Sequence, residues 1–403
     1  MHGKGLGREF LCIEPRAATV IRGVILTASV CLSGGRVLAP HGDLEIADVH
    51  IVDGRIVEAS GPGAARINCS DYCVLPGIVD LHGDAFELEL HPRPGVDIAL
   101  PIAMGSVDRQ LLANGITTAF HGLTVSWEQG ARSLGAGRHF MDGLWSMRPR
   151  LVADHRVQLR WETYAHGAID DIAQWLTWDP APSLAFNDHT TSTLKKVQSG
   201  QQESLDKWAR RTGMTLREYV AAAQAVGQRA MLVPDKIREV AQLARQAGVV
   251  MLSHDERTTV ERQEFRGLGA DICEFPLAPE VADSAIAFGE HVVMGGPNVI
   301  RGGSHMGAMS AEEAVRAGLC TVLASDYYYP SLMHAAEQLV ERGAASFGEA
   351  WNLISRNPAK ATNLDDRGII SLGKRADLVV IDTSGPWRLV YTIVGGTVLR
   401  FGR

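Results

Sequence analysis

Short apolar runs set the pattern of this chain, and their period changes along its length. From Gly35 to Val79 three brief β-rich runs, GRVLAP, DVHIVDGRIVEASG and DYCVLPGIVDLHGD, are broken by turn residues. In the middle run Val49 and Ile51 alternate with polar neighbours, and Ile56 resumes the alternation after Asp53 and Gly54, as in a hairpin. The C-terminus repeats the style with ADLVVID and LVYTIVGGTVLRF, where Gly395 and Gly396 supply a tight turn. Both ends are therefore expected to build one small β-sandwich from residues 31–77 and 365–403, after an N-terminal extension over residues 1–30.

Between them, over residues 78–364, short apolar β runs alternate with longer helical patterns, the signature of parallel βα units. The strands are GIVDLHGD, GITTAFHG, VQLRWETY, PSLAFNDH, GVVMLSHDE, HVVMGGPN and CTVLASDYY. Asp235 to Ala247 carries apolar residues at spacings of three and four and stops at Gly248. With an eighth strand within Asp271 to Phe275 or near Trp145, a closed (β/α)₈ TIM-type barrel is the economical α/β fold. An open doubly wound sheet shares the same periodicity.

Composition narrows the function classes. A chain of 403 residues that is 46% hydrophobic and 21% charged can bury a large core. The formal net charge of -7 lacks the basic excess that a nucleic-acid partner requires. The apolar stretch Ala18 to Leu32 is interrupted by Arg22 and is short for a membrane span. Lys4, Arg8 and Arg16 ahead of it lend some signal-peptide character, but folded strands follow at once, so an extension is expected and no membrane partner. Cys12, Cys31, Cys69, Cys73, Cys273 and Cys320 form no pair of CxxC motifs, which fits reduced thiols in a cytoplasm. Cys69 and Cys73 are read as structural.

Acidic residues and histidines sit where the expected strands run out. His82 and Asp84 end GIVDLHGD, Glu162 ends VQLRWE, His189 ends SLAFNDH, His254 ends VVMLSH and Asp326 ends TVLASD. In a barrel the C-terminal strand ends meet at one mouth, so these six residues would face one another as a metal cage. Each is weak evidence alone, because a lone strand-end His is more often structural. Together they would be costly to desolvate without a bound cation. Imidazole mixed with carboxylate suits one or two divalent ions, zinc first, with manganese or iron as alternatives.

VLPGIVDLHGD, the later strand-end histidines, the SD pair and GKRADLVVID together resemble the amidohydrolase superfamily. Within it LHGDAFE, HPRPGVD, GITTA, SHDE, EFP, MGGPNVIRGGSH, ASDYYYPSL, NPAKATNL and DRGIISLGKRADLVV look like the diphosphatase family of the phosphonate carbon–phosphorus lyase pathway. The resemblance runs from about Gly35 to Arg403 and is thin over 123–158 and 190–230. It implies that His82 and Asp84 are the first-strand metal pair, His189 and His254 the fifth- and sixth-strand ligands, Glu162 a bridging carboxylate and Asp326 the eighth-strand ligand and base. Asp84 departs from the HxH common in the superfamily, and Glu162 stands where many members use a carboxylated lysine.

A metal lowers the pKa of bound water, and Asp326 is placed to take its proton and deliver it to the leaving group. The resemblance implies release of diphosphate from a ribose 1-alkylphosphonate 5-triphosphate, with a small phosphorylated molecule as partner. Asn298, Arg301, Gly302, Gly303, Ser304 and His305 then read as an anion loop: a guanidinium fork, two glycines that let backbone N–H groups approach, and further donors. Arg93, in the HPRPGVD loop with His91 and Asp97, reads as a contact for substrate anions or as part of a stiffened loop. C–N hydrolysis by a deacetylase, cyclic amidase or deaminase would use the same cage, and an inactive scaffold would need none of it. A homo-oligomer is compatible with the sequence.

Overall fold

The computed structural model describes residues 19–21, 24–26 and 29–401, except 94 and 304–308, and the backbone alone over 19–26. The two ends of the chain share one ten-stranded sheet. Its N-terminal wing holds Ser29–Leu38, Leu44–Val52, Arg55–Val57, Ala65–Asn68 and Cys73–Pro76, and its C-terminal wing holds Leu378–Asp382, Arg388–Val394 and Thr397–Arg400. Cys73–Pro76 joins the wings by antiparallel pairing with Leu378–Asp382. Two short strands in the first thirty residues, Thr19–Ile21 and Val24–Leu26, extend the C-terminal edge. The hairpin at Asp53 and Gly54 forms as expected, with Val52 opposite Arg55. Gly395 and Gly396 take φ of +52° and +84°, the left-handed pair that a two-residue hairpin between twisted strands demands. Val30, Leu32, Ile51 and Val74 from one wing pack with Leu378, Val380, Ile393 and Val398 from the other in one apolar core, so the sheet folds over as a sandwich.

Eight parallel strands form the barrel: Ile78–Gly83, Ile116–Val125, Asp154–Glu162, Ser183–Asn187, Met251–His254, Ala270–Glu274, His291–Gly295 and Val322–Ala324. The eighth strand sought in the sequence is therefore Ala270–Glu274, sixth in barrel order. Strand three shows how the sequence sorts itself. Val157, Leu159 and Trp161 point outward into the core shared with the surrounding helices, while Gln158, Arg160 and Glu162 alternate with them. A compact plug of Leu81, Phe120, Leu252, Ile272, Val293 and Val322 is a separate apolar cluster drawn from the strands themselves. Charges held above such a plug see little of the water that would screen them.

The fourth and fifth strands are joined by a long helical insertion, Thr190–Gln198, Gln202–Thr212 and Leu216–Gly227, before Val233–Ala247 completes the repeat and stops at Gly248. The insertion docks on the loop after strand two: Trp127 Nε1 donates to Thr190 Oγ1 at 2.8 Å and Tyr219 Oη to Glu128 Oε1 at 2.9 Å. Among the described residues no helix is long and apolar enough to cross a membrane. The described cysteines, Cys31, Cys69, Cys73, Cys273 and Cys320, are buried and unpaired.

Candidate metal centre

The barrel closes through the residues that carry its chemistry. Gly83 and Asp326 form a parallel bridge between the first and eighth strands. The Asp326 amide donates to the His82 carbonyl at 3.0 Å, and the Asp84 amide to the Asp326 carbonyl at 2.6 Å. The rung that seals the barrel thus fixes His82, Asp84 and Asp326 side by side, and their ligand atoms converge. Asp255, Phe275 and Asp326, at or just past strand ends, hold φ of +59°, +53° and +56°. Such left-handed backbone outside glycine is strained and concentrates where surrounding structure over-determines a site.

The polar atoms here face one another across a gap. His82 Nδ1 lies 3.0 Å from Glu274 Oε1, which also accepts from Gln158 Nε2 at 2.7 Å. That bond leaves His82 Nε2 facing Asp84 Oδ1 at 3.5 Å, while His254 Nε2 faces Glu274 Oε2 at 3.7 Å. Asp84 Oδ1 and Glu274 Oε2 are buried without a hydrogen-bond partner. Donors about 3–3.5 Å apart are spaced like atoms that share one ion at about 2.1 Å. The chemistry of the set, two imidazoles with carboxylates, fits a divalent transition metal and leaves costly orphans otherwise. Asp84 reaches this position because Gly122 on strand two has no side chain: a Cβ there would stand 2.3 Å from Asp84 Oδ1.

Electrostatics point the same way. Burial opposes a charge on His82, yet the Glu274 and Asp84 carboxylates hold its pKa well above the ordinary imidazole value. A field that favours a proton there favours a cation. Burial also opposes the Asp84 and Glu274 charges, but Arg160 with His82, and His82 with His254, keep both carboxyls below the usual range. Arg160 donates to Asp84 Oδ2 at 2.9 Å, and its other amino group lies 3.3 Å from His254 Nε2. Asp326 differs: burial raises its carboxyl pKa, which suits a group that takes and returns a proton.

The strand-end residues therefore separate. His82, Asp84, His254 and Asp326 meet at the mouth, and His189 joins His254 and Asp255 in an adjoining group. Glu162, expected as a bridging carboxylate, stands beside His189 and Thr190. Its oxygens accept from the His189 and Thr190 amides at 3.1 and 3.0 Å and sit 3.3 Å from His189 Nδ1, so it caps the helix after strand four and orients that imidazole. His189 and His254 end the fourth and fifth strands, not the fifth and sixth, because Ala270–Glu274 takes the sixth place. The central carboxylate is Glu274, which the sequence reading left unassigned inside the EFP run. Arg160 was also missed, although polar side chains at every second position of an otherwise apolar strand were a usable signal.

The expected anion loop is partly placed. Arg301 Nη1 lies 3.5 Å from Tyr327 Oη, and Gly302 ends the helix Gly296–Arg301, next to Gly303. Asn298 is already engaged, its Oδ1 accepting from the Ala311 amide at 2.9 Å. Ser304 and His305 lie outside the described residues. Arg93 sits in an exposed turn bridged to Val96, near the His91–Asp97 contact of 2.8 Å. Tyr329 is buried, with Tyr327 and Tyr328 exposed. His121, at the end of GITTAFH, is buried against His155, which bonds Asp108.

A model of the amidohydrolase family matches residues 158–400. The α-D-ribose 1-methylphosphonate 5-triphosphate diphosphatase of Escherichia coli (strain K12) is 32% identical over 315 residues, covering 76% of this chain and 82% of that protein. Among solved structures, dihydropyrimidinase from Brevibacillus agri NCHU1002 is similar with a TM-score of 0.58 at 13% identity, over 93% of this chain and 95% of that one. β-Aspartyl dipeptidase from Fervidobacterium islandicum AW-1 is similar with a TM-score of 0.58 at 14% identity, over 95% and 98%. At these identities the structural likenesses speak for the fold, and the family match and the sequence relative speak for descent. The chain belongs to the amidohydrolase family of hydrolases, and within it is similar to the ribose 1-methylphosphonate 5-triphosphate diphosphatase.

Proposed function

We propose that this hydrolase releases diphosphate from an α-D-ribose 1-alkylphosphonate 5-triphosphate in the cytoplasm. The observation that carries the reading is the 32% identity to the diphosphatase over 76% of the chain. His82, Asp84, His254, Glu274 and Asp326, with His189 beside them, are the residues that would hold one or two divalent ions, zinc first, then manganese or iron. When bound, a divalent cation lowers the pKa of a water and stabilises charge developing on phosphate oxygens. Asp326 takes the proton of the attacking water, whose oxygen bonds to the phosphorus of the inner phosphate. The bond from that phosphorus to the bridging oxygen breaks, and Asp326 returns the proton toward the departing diphosphate. Arg160 holds Asp84 in place, and Glu162 holds the His189 ring through its Nδ1. Arg301, Gly302 and Gly303, with Asn298, Ser304 and His305 of the same sequence run and Arg93 of the HPRPGVD run, are proposed to bind the phosphates.

The test is diphosphate release from ribose 1-methylphosphonate 5-triphosphate by protein whose metal content has been determined by elemental analysis. Stoichiometric diphosphate and at least one equivalent of transition metal are expected. Absence of diphosphate together with turnover of a cyclic amide or dipeptide would replace this reading with C–N hydrolysis, which the same donors would serve. Less than one equivalent of metal and no turnover of either would leave a scaffold.

A further inference from the structure

We infer that Arg132 and Arg211, brought together by the helical insertion, form with Arg160 a cationic pocket for the triphosphate chain of the substrate. This deepens the phosphate-ester reading and rests on it. Arg132 ends a short turn, Gly130–Arg132, after strand two, and Arg211 lies near the end of the insertion helix Gln202–Thr212. The two elements touch: a Cβ on Gly130 would meet the Thr212 carbonyl oxygen at 3.3 Å. Both guanidiniums converge on one carboxylate, Glu87, just after strand one. Arg211 Nη2 is 3.2 Å from Glu87 Oε2, and Arg132 Nη2 is 3.8 Å from Glu87 Oε1.

The charges do not balance. Arg132 has a side chain only 12% exposed, its contact with Glu87 is too long for a hydrogen bond, and its Nε is buried without a partner. Arg160 likewise has a buried Nε with no partner, and its amino groups are committed to Asp84 and His254. Burial and the neighbouring Arg211 and Arg160 charges all work against the Arg132 cation, while Glu87 and Asp84 favour it. A nearly buried guanidinium that shares one carboxylate with a second is under-compensated, and such a group is held at a functional site when a bound anion completes it. Guanidinium forks match phosphate oxygens two at a time, and a triphosphate offers several charges in a row to several forks. The Glu87 amide donates to the Asp84 carbonyl at 3.0 Å and Arg160 donates to Asp84 Oδ2 at 2.9 Å, which places this pocket beside the candidate metal centre.

The experiment titrates inorganic tripolyphosphate, and separately methylphosphonate, into metal-loaded protein by calorimetry, with metal content measured before and after. Tripolyphosphate is expected to bind wild type, and Arg211→Met and Arg132→Met each to weaken it about tenfold or more, as loss of a charge-assisted contact to phosphate does. Glu87→Gln is expected to act in the opposite sense and strengthen tripolyphosphate binding, because it removes the competing carboxylate. Arg211→Lys should recover part of the loss. Arg211 is 41% exposed at its side chain, so its variants keep the test open if Arg132→Met does not fold. No tripolyphosphate binding by wild type, unchanged binding in the arginine variants, or weakening confined to methylphosphonate would overturn the inference. Failure to release diphosphate from the ribose triphosphate would sink the proposed reaction while leaving this titration readable by itself.

Discussion

At Gly122 a missing side chain is what admits Asp84 to the mouth of the barrel. A Cβ would stand 2.3 Å from Asp84 Oδ1, and the carboxylate is held from the other side by Arg160 at 2.9 Å, so it has no easy retreat. Gly122→Ala is expected to keep the fold and lose the ligand: bound metal drops below one equivalent and hydrolysis falls about a hundredfold, the usual scale for a supporting displacement of about 1 Å. Elemental analysis beside a thermal melt checks it, and full metal content in the variant would refute it. Asp326 invites a different substitution. Its φ of +56° is one that Asn tolerates, so Asp326→Asn preserves the backbone while removing the proton acceptor. The rate is expected to fall by about 10²–10⁴ with KM nearly unchanged, measured by steady-state kinetics. An equal loss through KM alone would show that Asp326 only binds.

The elements were legible where a strand carries its own period and a chemical residue at its end. His82, His254 and Asp326 stood out for that reason. Glu274 did not: its strand was one of two candidates for the eighth, and Ala270–Glu274, five residues with Asp271 exposed among them, is too short a run to mark the carboxylate at its end. Glu162 lies with partners that strand order does not reveal: the order indicates which end of a strand faces the mouth, but not that Thr190 and its amide would bond the carboxylate. Arg132 and Arg211 left no signal, since only the docking of the insertion helices brings residues so far apart in sequence together. That docking gives an element-scale prediction. Trp127 bonds Thr190, stacks on Tyr219 with ring centroids 5.8 Å apart, and is only half-buried. Trp127→Ala should therefore cost less than the ~3–5 kcal/mol of a fully buried Trp, about 2 kcal/mol, and should loosen the insertion in preference to the barrel. Limited proteolysis is expected to cut within residues 199–215 several-fold faster than in wild type. Uniform destabilisation with no preferred cut would show that the insertion is not a separate unit.

Across the whole molecule the sheet and the barrel are tied by one buried ionic joint, and its pH dependence can be worked out. Arg367 Nη1 donates to Thr118 Oγ1 and to Asp154 Oδ2, both at 2.8 Å, and lies 3.6 Å from Asp377 Oδ2 beside the C-terminal wing of the sheet. Its side chain is 4% exposed, against 8% for Asp154 and 1% for Asp377. Burial opposes the Asp154 charge, but Arg156 and Arg367 outweigh it and pull the pKa below the ordinary value. Burial wins at Asp377, whose pKa is raised although Arg375 and Arg367 resist. A depressed carboxyl contributes stability that is present above its unfolded value near ~3.9 and is lost as pH falls through its folded value. A raised one costs stability as pH climbs through that unfolded value toward its folded one. Arg367→Met leaves both carboxylates without their shared cation, so both pKa values rise. At pH 7 they must then stay buried and charged, a loss of about 3–5 kcal/mol, the scale for breaking a buried pair from one side. Arg156 and Arg148, each 2.9 Å from Asp154, still keep that carboxylate ionised in the variant, but Asp377, whose pKa is already raised by burial, takes up a proton as pH falls to about 4.5 and relieves its share of the cost, so the gap between variant and wild type should narrow toward low pH. Denaturant unfolding at the two pH values decides it: a loss below about 1 kcal/mol, or one that is the same at both, would show that the joint is held by apolar packing and not by Arg367.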